Sequence, residues 1–153
     1  MILYFDSAYI GKCYLPEPDG PAVRTLARSA SGLYSSAICI AEMSCILHRQ
    51  MRERGVPPEK MGLLRQKFLE DLHSEIWSLI PVTERLLHKV DALVATLPAP
   101  CLIRGADAIH LTTAIDSGFE EIWTNDRRLL AAAEAAGIRG RMVDPPSAKD
   151  PLP

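Results

Sequence analysis

Four carboxylates occupy positions where an apolar segment would be expected to exclude them: Asp6, Glu42, Asp107 and Asp126. Asp6 ends the apolar run Met1-Ile2-Leu3-Tyr4-Phe5. Glu42 interrupts the nearly unbroken apolar stretch from Ala37 to Leu47. Asp107 lies in Gly105-Ala106-Asp107-Ala108-Ile109-His110-Leu111, and Asp126 closes Glu121-Ile122-Trp123-Thr124-Asn125-Asp126. An ionised carboxylate leaves water at high cost unless it is paired or holds a cation. If the four converge, they form an all-oxygen site, and such ligands select Mg²⁺ or Mn²⁺ over zinc. A divalent ion held that way polarises a phosphate and activates water for in-line attack. The expected chemistry is metal-dependent phosphoryl transfer, with a nuclease as its leading form.

Each carboxylate also has a simpler use. Asp126 precedes Arg127-Arg128-Leu129-Leu130 and is a ready helix N-cap, as Asp6 is for a helix beginning near Ser7. Asp107 near a helix start complements the helix dipole. Glu42 fits no cap, and its simple reading is a salt bridge to a distant arginine. His110 falls three residues after Asp107 and reads either as a satisfied core histidine or as an aid to the site. Ser7 and Thr124 read equally as turn hydroxyls or as partners of metal-held water. Arg104, Arg127 and Arg128 lie close in sequence to the carboxylates and are candidate phosphate contacts or a solvated face.

The segments that must position these residues alternate between strand and helix. Ile2–Phe5 reads as a buried strand, Leu33–Ser36 as a second, Trp77–Val82 as a third, Glu121–Thr124 as a fourth and Arg141–Val143 as an edge strand. Helices are expected over 7–15, from Pro21 to about Ala30, and over 37–54, 59–76, 83–97, 104–117 and 127–136. The stripe Met61, Leu64, Phe68, Leu69 and Leu72 should face inward in one of them, and Leu86, Leu87, Val90, Leu93, Val94 and Leu97 in another. Alternating strands and helices imply a parallel sheet covered on both faces, with ligands at the carboxyl ends of its strands.

The 153 residues suffice for one domain, read here as residues 1–144 followed by a disordered proline-rich tail, 145–153. The net charge of −2 gives no overall basic signal for nucleic acid, although a bound divalent ion would reverse the sign where phosphate arrives. Cys13, Cys39, Cys45 and Cys101 form no Cys-x-x-Cys pair and read as small buried hydrophobes in a reducing cytoplasm. No apolar run approaches the roughly 18 residues of a membrane span. A second Asp two residues after Asp6 would suggest a dehalogenase-type phosphatase, but Ala8 stands there. No Gly-x-Gly-x-x-Gly supports dinucleotide binding.

At Leu3-Tyr4-Phe5-Asp6-Ser7, Ala41-Glu42, Gly105-Ala106-Asp107-Ala108-Ile109-His110-Leu111 and Trp123-Thr124-Asn125-Asp126-Arg127-Arg128-Leu129, the chain resembles PIN domains, most of all the VapC toxins of prokaryotic type II toxin–antitoxin pairs. The resemblance covers all but the proline-rich tail. It implies an α/β/α sandwich with a central parallel sheet and Mg²⁺- or Mn²⁺-dependent cleavage of RNA. Neutralisation by a small antitoxin follows from the same likeness, and a homodimer is expected. Asp6, Glu42, Asp107 and Asp126 take the family's acidic positions. Some relatives carry a further acidic residue near the last of these, where this chain has Asn125. A catalytically silent PIN-like protein-binding module is the competing reading, and it would be marked by loss of one of the four acids. A partner surface is expected on the hairpin of helices 37–54 and 59–76, from Leu63, Met43, Ile46 and Leu47.

Overall fold

A computed structural model describes residues 1–144; the expected disordered tail, 145–153, lies outside the described residues. Its central feature is a parallel sheet. Strand β1 (Ile2–Tyr4) pairs with β2 (Gly32–Ser36), which pairs with β3 (Trp77–Ile80). A second parallel pair, β4 (Glu121–Trp123) and β5 (Arg139–Arg141), joins through a bridge between Phe5 and Trp123. The resulting order is β3-β2-β1-β4-β5. The chain runs outward from β1 in one direction and returns to build β4 and β5 on its other side. A reversal of strand order of this kind opens a crevice beyond the carboxyl ends of the strands on either side of it.

The period-2 alternation of β1 assigns the two cores. Leu3 and Phe5 point into a cluster with Tyr9, Ile10, Val23, Met43, Phe68 and Trp77. That layer belongs to α1 (Ser7–Tyr14), α2 (Gly20–Ser29), α3 (Cys39–Arg54) and α4 (Pro58–His73). Tyr4 points the other way, into Leu111, Ala114, Ile122, Leu129, Ala132 and Ala133. The helices there are α5 (Glu84–Thr96), α6 (Gly105–Asp116) and α7 (Arg127–Ala135). The expected three-layer α/β/α sandwich is therefore the observed fold.

Helix α3 ends at Gly55, whose φ of 61° is the left-handed turn that lets α4 fold back as a hairpin. Leu15, Leu47 and Met61 form a small core beneath that hairpin. Tyr14 fastens α4 to the rest: its hydroxyl donates to Asp71 at 2.7 Å and accepts from Trp77 Nε1 at 2.8 Å.

Several expectations about facing residues are corrected. Leu69 is 39% exposed, because α4 buries only the narrow stripe of Met61 and Phe68, flanked by Leu64 and Leu72. Leu69 lies about 100° around the helix from Phe68. Leu87 and Val94 are likewise exposed. Helix α5 lies at the flank of its layer and covers only Leu86, Val90, Leu93 and Leu97. The edge strand is displaced by two residues, to Arg139–Arg141, and β3 stops before Pro81, which has no N–H for the ladder. Among the described residues, no helix is long and apolar enough to cross a membrane.

Candidate active site

Asp6 sits where β1 leaves the sheet. The Phe5 N–H donates to the Tyr34 carbonyl on one side, and the Asp6 N–H donates to the Trp123 carbonyl on the other, at 3.1 Å. The backbone at Asp6 is thus clamped between β2 and β4 at the reversal of strand order. Its Oδ1 accepts from the Tyr9 N–H at 2.8 Å and caps α1, while Oδ2 accepts from the Thr124 hydroxyl at 2.5 Å. Burial pushes the Asp6 carboxyl up to about 6, with Glu42's charge adding to the rise; His110, Thr124 and the Tyr9 N–H oppose it.

Thr124 ties the second acidic residue of the crevice to the first. Its Oγ1 donates to Asp6 and accepts from the Asp126 N–H at 3.0 Å. Asp126 caps α7 through Oδ1, which accepts from Arg128 and Leu129 N–H at 2.7 and 3.4 Å. The capping reading of both aspartates is correct, and it does not displace the site reading. One oxygen of each holds a helix start, which fixes the side chain and leaves the carboxylate beside the crevice.

Glu42 lies in the first turn of α3 and makes no arginine salt bridge among the described residues, contrary to its simple reading. Its Oε2 accepts from the Ser7 hydroxyl at 2.5 Å and lies 2.8 Å from His110 Nε2; Ser7 Oγ and Nε2 are 3.0 Å apart. Partial burial works against its charge, but the contacts with His110 and Ser7 outweigh that and hold the carboxyl below its usual value. His110 is buried, and its Nδ1 is 3.1 Å from the Tyr4 hydroxyl. It is a satisfied core histidine and also a direct neighbour of the site.

Asp107 is at the third position of α6, half-buried. Its carboxyl is raised first by burial and then by the charges of Asp126 and Glu42, against His110 and Arg104. The charges of Asp126 and Glu42 thus act on Asp107, and the charge of Glu42 acts on Asp6. The four acids therefore influence one another electrostatically in part, and they are not drawn onto a single point. Among the described residues no three acidic, histidine or cysteine side chains form a ready-made ion cage.

The donor set nevertheless fits a hard divalent cation. Four carboxylates repel across a partly desolvated crevice, and among the described residues no lysine or arginine forms an ion pair with Asp6, Glu42, Asp107 or Asp126. Beside them a cleft between α1 and α3 is lined by Ala8, Lys12, Arg49, Gln50, Arg54 and Asn125. Sequence reasoning passed over Lys12 and Arg49 in the cleft, and Tyr4 as a neighbour of His110. The signal for Tyr4 was available: a tyrosine on a strand buried on both faces must find a partner for its hydroxyl.

A parallel sheet covered by helices on both faces, with its strand order reversing at β1, defines the class of three-layer α/β/α domains. Residues 3–135 match the PIN domain model, and the chain belongs to the PIN-domain family, in its VapC-like branch. It is 30% identical to Ribonuclease VapC46 of Mycobacterium tuberculosis over 138 residues, which is 89% of this chain and 93% of that protein. Two solved structures share the fold at lower identity. FitAcB from Neisseria gonorrhoeae superposes with a TM-score of 0.71 at 19% identity, over 92% of this chain and 96% of that one. VapBC2 from Rickettsia felis, bound to a DNA fragment from its promoter, gives 0.65 at 16%, over 94% and 100%.

Proposed function

We propose that this chain is a metal-dependent endoribonuclease, the toxin of a type II toxin–antitoxin pair, with Asp6, Glu42, Asp107 and Asp126 holding Mg²⁺ or Mn²⁺. The observation that carries the reading is the tie through Thr124 between Asp6 and Asp126 where the strand order reverses, in a chain 30% identical to a protein named a ribonuclease. When bound there, the ion supplies Lewis acidity toward a scissile phosphate and an activated water for in-line attack.

The chain's own residues perform the positioning. Asp6 is immobilised through both oxygens and through its backbone N–H, so it has little reorganisation left to make. Asp126 is fixed by the α7 cap, and Ser7 and His110 hold Glu42 ionised. Arg49, exposed in the cleft between α1 and α3, and Arg104, Arg127 and Arg128, exposed at the starts of α6 and α7, are placed to contact the flanking phosphates of an RNA strand. Each neutralised phosphate would make binding weaker as salt rises.

The same reading supplies a small antitoxin protein as partner, supported by family membership and by the VapBC2 assembly among the structural relatives, and a homodimer as the working form. The partner surface is revised, however. Met43 and Leu47 are buried in the two cores beneath the hairpin, and Ile46 is partly buried between them. Leu63, 68% exposed on α4, remains available.

The experiment is cleavage of single-stranded RNA by the purified chain with Mn²⁺, with EDTA, and with Asp107→Asn. The expected result is cleavage that EDTA abolishes and that the substitution lowers by more than ~10²-fold, several kcal/mol of transition-state stabilisation. Full activity in Asp107→Asn would overturn the mechanism.

A further inference from the structure

We propose that Tyr4 is a positioning residue for Glu42, acting through His110: its hydroxyl anchors one edge of the imidazole so that the N–H on the opposite edge is aimed at the Glu42 carboxylate. The inference rests on the reading of Glu42 as a metal ligand.

The three groups come from three elements. Tyr4 ends β1, Glu42 is in the first turn of α3 and His110 is in the middle of α6. Tyr4 and His110 are both almost completely shielded from solvent, so no water competes for their hydrogen bonds. Hydrogen accounting assigns the ring. Nε2 is 2.8 Å from Glu42 Oε2, whose other close neighbour is the Ser7 hydroxyl, which donates to it. A bare Nε2 would set a lone pair against a carboxylate, so Nε2 carries the hydrogen and Glu42 accepts it. At the far edge Nδ1 is 3.1 Å from the Tyr4 hydroxyl. The phenol ring is itself wedged edge-on against Phe119 and against His110, with interplanar angles of 61° and 78°. Tyr4 is thus a rigid stop, and the hydrogen bond from it selects one of the two faces-on orientations the imidazole could take.

The consequence lies in the direction of the Glu42 carboxylate. Ser7 and His110 both engage Oε2, so together they fix the side chain's rotation and leave Oε1 as the oxygen open to a new ligand. Outer partners of this sort orient a ligand and commonly change metal affinity by about 10–100-fold when removed. The hydroxyl of Tyr4 stands one bond further out, so the lower end of that range, about 10-fold, is expected.

The test is Tyr4→Phe, which removes one oxygen and keeps the ring. Two readouts are compared with wild type: the His110 imidazole N–H resonance in the metal-free protein, and Mn²⁺ affinity by titration calorimetry. The proposal expects a slowly exchanging Nε2–H in wild type that broadens or is lost in Tyr4→Phe, with Mn²⁺ bound about 10-fold more weakly. An unchanged resonance, or an affinity within twofold of wild type, would overturn it. Should Tyr4→Phe fold poorly, His110→Gln and His110→Ala decide instead. Glutamine keeps an N–H donor at the far end of the side chain and should hold Mn²⁺ better than alanine; equal affinities would overturn the proposal. If wild type takes up no Mn²⁺, the metal-ligand reading of Glu42 fails, and the metal-free resonance alone decides whether Tyr4 orients His110.

Discussion

The Thr124 hydroxyl donates to Asp6 Oδ2 at 2.5 Å, joining two residues 118 positions apart in the chain. It spans the seam between β1 and β4, beside the bridge between Phe5 and Trp123 and the bond from the Asp6 N–H to the Trp123 carbonyl. Because Thr124 also accepts from the Asp126 N–H, one buried hydroxyl sets the positions of two acids.

Thr124→Val should therefore damage both stability and site. It strands a buried carboxylate oxygen and a backbone N–H, a loss of about 1–3 kcal/mol. Urea unfolding should show that loss, and Thr124→Ser should recover most of it. Valine at wild-type stability would mean the hydroxyl is not needed to hold the seam.

The repulsion around Asp107 predicts a paired effect of Asp107→Asn. Without metal the variant should melt slightly higher than wild type, because a like charge beside Glu42 and Asp126 is gone. Saturating Mn²⁺, at a hundred times its dissociation constant, should stabilise wild type by about 2.7 kcal/mol, a shift of roughly 5–10 °C. The variant should shift less. A variant that melts lower without metal and shifts as far with it would show Asp107 to be a helix-start residue only.

Acid should favour the metal-free fold through Asp6. Its folded value, about 6, lies above the 3.8 of an unperturbed aspartate, so the folded chain binds this proton more tightly than the unfolded chain. That stabilisation is fully present below the unfolded value and is lost as pH rises through about 6. Asp6→Asn should flatten this part of the stability profile between about pH 4 and 6 in EDTA. An identical profile in the variant would mean that Asp6 carries no such shift.

Leu63→Glu should leave the fold intact within about 0.5 kcal/mol, since Leu63 is exposed, and should abolish capture of the proposed antitoxin partner. Ile46→Glu is a poor companion test, because Ile46 packs against both cores under the hairpin and a charge there should destabilise the fold. Undiminished binding by Leu63→Glu would exclude this face of α4.

The order of elements and the four acids were readable because each leaves a local mark. A buried parallel strand is a short apolar run, and a carboxylate next to one stands out against the cost of burying it. What could not be read is how far a helix's apolar stripe is covered. Leu69, Leu87 and Val94 have the same periodicity as their buried neighbours, and only the tilt of α4 and α5 on the layer leaves them in water. The Tyr4–His110–Glu42 connection was hidden for a related reason: its members are separated by 38 to 106 residues, and hydrogen bonds between distant side chains have no sequence period. Asp6 and Asp126 are ambiguous in the sequence because a cap uses one carboxylate oxygen, so capping neither requires nor excludes a further role for the other.

The account stands on one ion shared by four acids. Anomalous diffraction from crystals soaked in Mn²⁺ is its most direct test. The predicted result is a peak in the crevice beyond β1 and β4, with carboxylate oxygens of Asp6, Asp107 and Asp126 turned toward it and Glu42 reaching it directly or through water. A soak at millimolar Mn²⁺ that leaves the crevice without a peak, or that places the ion away from Asp6 and Asp107, would contradict the account.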